Sequence, residues 1–133
     1  MSFLAPSINP EFLSPIFVMT APLTLNLLQG SVRFPFSVEA AIALQGEINQ
    51  LVNQLKVIGA QVNQGGRPEK QQNLEYCHSG EVFLEVFCNP NIYPSPFAAK
   101  VLLTLRDDRI RLTTEAELPR LIEDLAEYLA QHG

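Results

Sequence analysis

The side chains that could do chemistry are few and scattered along the chain. Glu123, Asp124 and Glu127 lie close together, and Glu81 and Glu85 are spaced to share one face of a strand. Paired carboxylates work as acid and base when burial drives their pKa values apart. Here the first set belongs to an acidic amphipathic helix, where a solvated face is the expected role. Cys77-His78 has the residue types of a thiol nucleophile or half a metal site. A nucleophile needs a base and an orienting partner, zinc needs about three or four ligands, and the other histidine is the distant His132. Gly65-Gly66-Arg67 mimics a phosphate loop, but it follows a helical pattern instead of opening one and lacks the Lys-Ser/Thr tail. The residues therefore predict no catalytic set, no cofactor and no metal.

Composition narrows the classes further. A chain of 133 residues, 47% hydrophobic and 17% charged, can bury a real core without disulfides or a structural metal. Nine basic against fourteen acidic residues give a net charge of −5, which supplies no continuous cationic field for nucleic acid or an anionic membrane. No apolar run approaches the ~20 residues that span a bilayer, so a cytoplasmic protein without membrane insertion is expected. Cys77 and Cys88 make no secreted-type framework. With a turn at Ser79-Gly80 they fall at opposite ends of neighbouring strands, roughly 20 Å apart at about 3.3 Å per residue. Both read as small core hydrophobes, and His78 as a turn residue.

The elements that must position any site follow from periodicity. Residues 1–22 combine Phe12, Ile16 and Phe17 with four prolines and no regular period, which reads as an apolar arm ahead of a single α+β domain over 23–133. Leu23, Leu25 and Leu27, then Val32, Phe34 and Phe36, alternate as a strand or short hairpin about Gly30, with Pro35 confined to an edge. Ser37 caps a long helix whose stripe is Ala41, Leu44, Ile48, Leu51, Leu55, Ile58 and Val62, ending near Gly59 or slightly later. Residues 63–73 form a loop. Glu81 to Phe87 reads as a central strand, with Val82, Leu84 and Val86 on one face and Glu81, Phe83, Glu85 and Phe87 on the other. A strand from Phe97 to Leu105, a charged turn and a return strand through Ile110 and Leu112 make a hairpin. Thr114 and Glu117 fit a capping box for a last helix with the stripe Leu118, Leu121, Ile122, Leu125 and Leu129 and a first turn tightened or bent by Pro119. The order strand, long helix, three strands, helix implies a mainly antiparallel sheet with both helices packed on it in two layers.

Three surfaces are unusual enough to bind a protein. The solvent face of the long helix carries neutral amides, Gln50 and Asn53 among them, which are cheaper to desolvate than charges. Ile92 and Tyr93 stand between prolines in a constrained loop. Arg106, Arg109 and Arg111 surround Asp107 and Asp108 at the hairpin tip, either paired with them or free to hold an acidic tail. With the arm residues Phe12, Ile16 and Phe17, these predict a protein partner or peptide tail received at an edge strand or helix–sheet groove, and are compatible with a homodimer. The alternative is a small-ligand or enzymatic domain using Tyr76, His78, Glu81 and Glu85 around a helix–sheet cavity.

The block DDRIRLTTEAELPRLIEDL, Asp107 to Leu125, resembles the C-terminal part of small cyanobacterial accessory proteins. That resemblance implies an assembly factor of photosynthetic or carbon-fixing machinery, with a carboxysome assembly chaperone as the first member of the class. The order of elements is also similar to that of small secretion-type chaperones, which hold an extended segment of a partner.

Overall fold

The computed structural model describes residues 19–133. The chain is α+β, with six strands and two long helices: β1 (Thr20–Asn26), β2 (Ser31–Ser37), α1 (Val38–Asn63), β3 (Leu74–Ser79), β4 (Phe83–Cys88), β5 (Lys100–Arg106), β6 (Arg111–Glu117) and α2 (Leu118–His132). A short 3-10 turn at Pro90–Ile92 follows β4. β1 and β2 form a two-stranded antiparallel sheet, and the other strands form an antiparallel meander in the order β3-β4-β5-β6. The strand expected over Glu81–Phe87 is β4, Phe83–Cys88, with Glu81 and Val82 in the turn before it, and it lies inside the sheet as bulk on both its faces predicts. The sheet segment before the Ser79-Gly80 turn is a full strand, Leu74–Ser79, so the meander has four strands where the expected order counts three. At the other end, β1 takes in Thr20 to Pro22, three residues expected in the arm.

One face of the meander packs on the helices. Leu84, Val86, Val101 and Leu103 are fully buried there against Leu44, Ile48, Leu51 and Leu55 of α1 and Leu118, Leu121 and Leu125 of α2. Leu23, Leu25, Phe34 and Phe36 of the β1–β2 hairpin complete the core. Ser37 caps α1 as expected, its hydroxyl accepting from the Ala40 N–H at 3.1 Å. The helix continues past Gly59 to Asn63 and ends where Gly65 takes a φ of +80°, a left-handed conformation that costs glycine little. Val62, predicted in the stripe, is 53% exposed.

The capping box does not form. Thr114 lies inside β6, which runs on to pair Glu117 with Lys100, because β5 would otherwise lose its partner. The helix start is satisfied another way: the Leu118 N–H donates to the Ala99 carbonyl at 2.9 Å. Pro119 sits in the first turn, where its missing donor is no loss. The α2 stripe is also rotated from the predicted one: Tyr128 and Asp124 are buried, and Ile122 is outside it at 38% exposed.

Asp124 locks α2 to the hairpin. Its carboxylate accepts from the Asn26 backbone N–H at 2.7 Å and from the Asn26 side-chain amide at 2.8 Å, with the Arg120 guanidinium 3.6 Å away. One turn on, the Tyr128 hydroxyl donates to the Phe36 carbonyl at 2.6 Å. Truncating Asp124 leaves the part-buried Asn26 donors without their charged acceptor, so Asp124→Ala is expected to cost about 1.5–3 kcal/mol in urea unfolding. Glu123→Ala, on the solvent side of the same turn, should stay within about 0.5 kcal/mol.

Candidate protein-binding surface

Hydrogen-bond direction decides which strand edges remain open. In an antiparallel ladder, neighbouring residues point their backbone groups alternately to one side and the other. The Asp107 N–H donates to the Ile110 carbonyl at 3.0 Å and closes the β5–β6 turn. With the observed register, the even residues of β6 bond β5, the even residues of β5 bond β4, and the even residues of β4 bond β3. A second bond agrees: Leu28 of the hairpin turn donates outward to the carbonyl of Glu115 in β6, at 3.3 Å. It follows that Leu74, Tyr76 and His78 face β4, while the N–H and C=O groups of Glu75, Cys77 and Ser79 point away from the sheet. Among the described residues none of these outward groups has a partner, and all three side chains are exposed.

The other edges are interrupted. The bond from Leu27 to Gly30, 2.9 Å, sets the hairpin so that even residues of β1 point outward. Pro22 and Pro35 face each other at a non-hydrogen-bonded pair, so neither removes a ladder bond and each removes an edge donor. Asn26 and Leu28 are already bonded, to Asp124 and Glu115. The second of these contacts also occupies the edge of β6.

The open edge of β3 runs beside α1. The Tyr76 hydroxyl donates to the Ala40 carbonyl at 3.1 Å; burial, with Cys77 and Glu47 nearby, pushes its phenol up to about 12. At about 3.6 residues per turn, Ala43, Gln50 and Gln54 share the flank of α1 that carries Glu47. The contacts of Tyr76 with Ala40 and of His78 with Phe36 set β3 beside the first turns of α1. Gln50 lies on this flank further along, about 15 Å past Ala40 at about 1.5 Å per residue, and Asn53 is exposed elsewhere on α1.

The remaining predicted residues lie apart. Ile92 is 67% exposed on the 3-10 turn, while Tyr93 is half-buried against the core. Phe97, expected to open β5, is exposed in the turn before it. Arg106 and Arg109 are at the β5–β6 tip, and their pairing with aspartate is not found: the Asp107 carboxylate accepts from the backbone N–H groups of Arg109, 2.8 Å, and Ile110, 2.9 Å. These bonds lower its pKa. Phe12, Ile16 and Phe17 lie outside the described residues.

The small-ligand set is not assembled. Tyr76 and His78 face the core layer, His78 within a strand and edge-on to Phe36 at 5.2 Å, whereas Glu85 is on the opposite sheet face and Glu81 is in the β3–β4 turn. An open groove of about 590 Å³ between β1 and α2 is lined by Arg33, Arg120, Glu123, Glu127 and His132. It contains no serine or cysteine nucleophile. No cluster of three potential metal ligands occurs among the described residues, and no helix there is long and apolar enough to cross a membrane. Comparison of the chain with family models, curated proteins and solved structures gives no match.

Of the two cysteines expected in the core, only Cys88 is there. Cys77 stands opposite Glu85 and Cys88 opposite Leu74. They are three residues apart along the ladder, roughly 10 Å, and on opposite faces. Cys88 is buried, and burial pushes its thiol up to about 11. Cys77 is exposed on the open edge. Native protein is therefore expected to react with one equivalent of iodoacetamide, mapping to Cys77, with Cys88 labelled only after denaturation; equal labelling of both would contradict this burial.

Proposed function

We propose that this protein is a non-enzymatic binding module, an assembly factor or chaperone that captures an extended tail of a partner protein. The observation that carries the reading is the unpaired edge of β3. Outward amides and carbonyls at Glu75, Cys77 and Ser79 can add one more strand, and main-chain pairing of this kind gives affinity while alternate side chains give selectivity. Further along the same flank of α1, Gln50 and Gln54 can bond to a longer tail without the cost of stripping water from a full charge. The resemblance of Asp107 to Leu125 to cyanobacterial accessory proteins supports a setting in carboxysome or photosynthetic complex assembly.

Cys77→Pro tests the edge directly. Its lost N–H points outward, so the β3–β4 ladder keeps its bonds, and the fold should survive with a small change in melting temperature. Tyr76→Pro removes a ladder bond and should unfold the sheet. In affinity purification from the source cell followed by mass spectrometry, a partner recovered with the full-length chain should be lost with Cys77→Pro. Binding of that partner should also slow amide exchange at Glu75, Cys77 and Ser79. Equal recovery with Cys77→Pro, or unchanged exchange at these amides, would refute edge capture.

A further inference from the structure

The meander has a second face that no described element covers. Phe83 and Phe87 are half-buried on it, and Leu102 is 40% exposed between β4 and β6. At one end of this face Arg106 and Arg111 are direct cross-strand partners. They adjoin the closing bond from Asp107 to Ile110, which makes theirs a non-hydrogen-bonded pair, with Cα atoms about 4.5 Å apart and side chains at their nearest. Like charges placed opposite each other in this way destabilise a sheet.

Nothing among the described residues neutralises the pair. The ion pairs found there join Arg120 to Glu123 and Asp124, and Asp107 is engaged by the turn backbone. Arg106 is held by another contact, its guanidinium lying 4.2 Å from the centre of the Phe83 ring. The fork therefore lies over an aromatic ring, and none of its hydrogen-bond donors has a partner among the described residues.

Resting on the protein-binding reading, we propose that Arg106 and Arg111 form a receptor for a carboxylate in an acidic segment of a partner protein, docked beside Phe83 on this sheet face. One carboxylate between two guanidinium groups removes their repulsion and receives charge-assisted bonds from both forks. Beyond Phe83 the face carries Glu85 and Thr104 before Phe87 and Leu102, so the apolar surface next to the pair is the Phe83 ring. It suits leucine or phenylalanine following the acidic residue. A nucleic-acid backbone is disfavoured, because a chain of net charge −5 lacks the extended cationic surface that neutralises successive phosphates.

The test uses the full chain and a fluorescein-labelled decapeptide in which glutamates precede leucine and phenylalanine, with a lysine counterpart as control. Fluorescence anisotropy should show the acidic peptide binding in preference to the basic one, more weakly as salt rises. Arg106→Gln and Arg111→Gln should each weaken binding about tenfold or more, the loss expected for a charge-assisted hydrogen bond, while Arg67→Gln in the α1–β3 loop should not. Arg111→Glu should abolish binding and yet raise the melting temperature, by about 1–4 °C, because it turns the repulsive pair into an attractive one. Equal binding of the two peptides, equal damage from Arg67→Gln, or a lower melting temperature for Arg111→Glu overturns the proposal. A concentration-dependent dimer dissolved by Arg111→Glu overturns it in favour of a second copy as the occupant. Peptide binding that persists in Cys77→Pro upholds the arginine receptor independently of the β3 edge. Partner capture sensitive to Cys77→Pro without acidic preference keeps edge capture and removes the receptor.

Discussion

A single buried carboxylate sets how the two sheets meet. Asp124 is the charged side chain buried among the described residues, and a charge is tolerated there only with its bonding capacity met. Asn26 meets it with a backbone and a side-chain donor. That bond settles the position of α2 along β1, since a helix anchored at Asp124 carries Tyr128 one turn further to the Phe36 carbonyl. The hairpin is then tied at both ends. Its turn reaches β6 through Leu28, and its strands enclose Phe34 and Phe36 over the core. What the clamp closes at β1 stays open elsewhere: among the described residues the uninterrupted run of unpaired edge groups is at β3.

Much of this architecture is legible from side-chain periodicity alone, because burial of leucine dominates it. The stripe from Ala41 to Ile58, the alternation of Leu23 to Phe36 about Gly30, the Ser37 cap and the central position of residues 83–88 all follow from local pattern. Where the pattern misleads, a longer-range partner outweighs a local preference. Thr114 and Glu117 have the residues of a capping box, but β5 is long enough to hold them in a ladder as far as Lys100. In α2 the choice of stripe turns on one residue. Centring it on Tyr128 instead of Ile122 puts Asp124 inside the buried arc, a signal present in the spacing of Leu118, Leu121, Leu125 and Tyr128.

The candidate site is less legible for a different reason. An open edge is a property of strand order, and strand order depends on pairings between segments that no local period encodes. The alternation of Leu74, Tyr76 and His78 with Glu75, Cys77 and Ser79 is visible in the chain, and it separates core-facing from outward residues. That β3 ends the sheet is not. The arginine tip shows the same division: the residues are conspicuous, but only the register places Arg106 opposite Arg111 and only the turn geometry removes Asp107 from them.

The contrast between edges is the strongest argument that β3 is exposed to some purpose. Exposed edges invite indiscriminate pairing, and natural sheets blunt them with proline, charge, bulges or a covering element. This chain uses such devices on the other three: Pro22 and the Asp124 clamp on β1, Pro35 on β2, and the hairpin turn against β6. The edge of β3 has no proline or lysine and carries one charged residue, Glu75. Beside it run the first turns of α1, with Glu47 near Tyr76. A segment added there would meet the start of α1 with alternate side chains and those of Glu75, Cys77 and Ser79 with the others. Its two faces would be read by different chemistry, which is what distinguishes selective strand addition from the unguided pairing that the remaining edges resist.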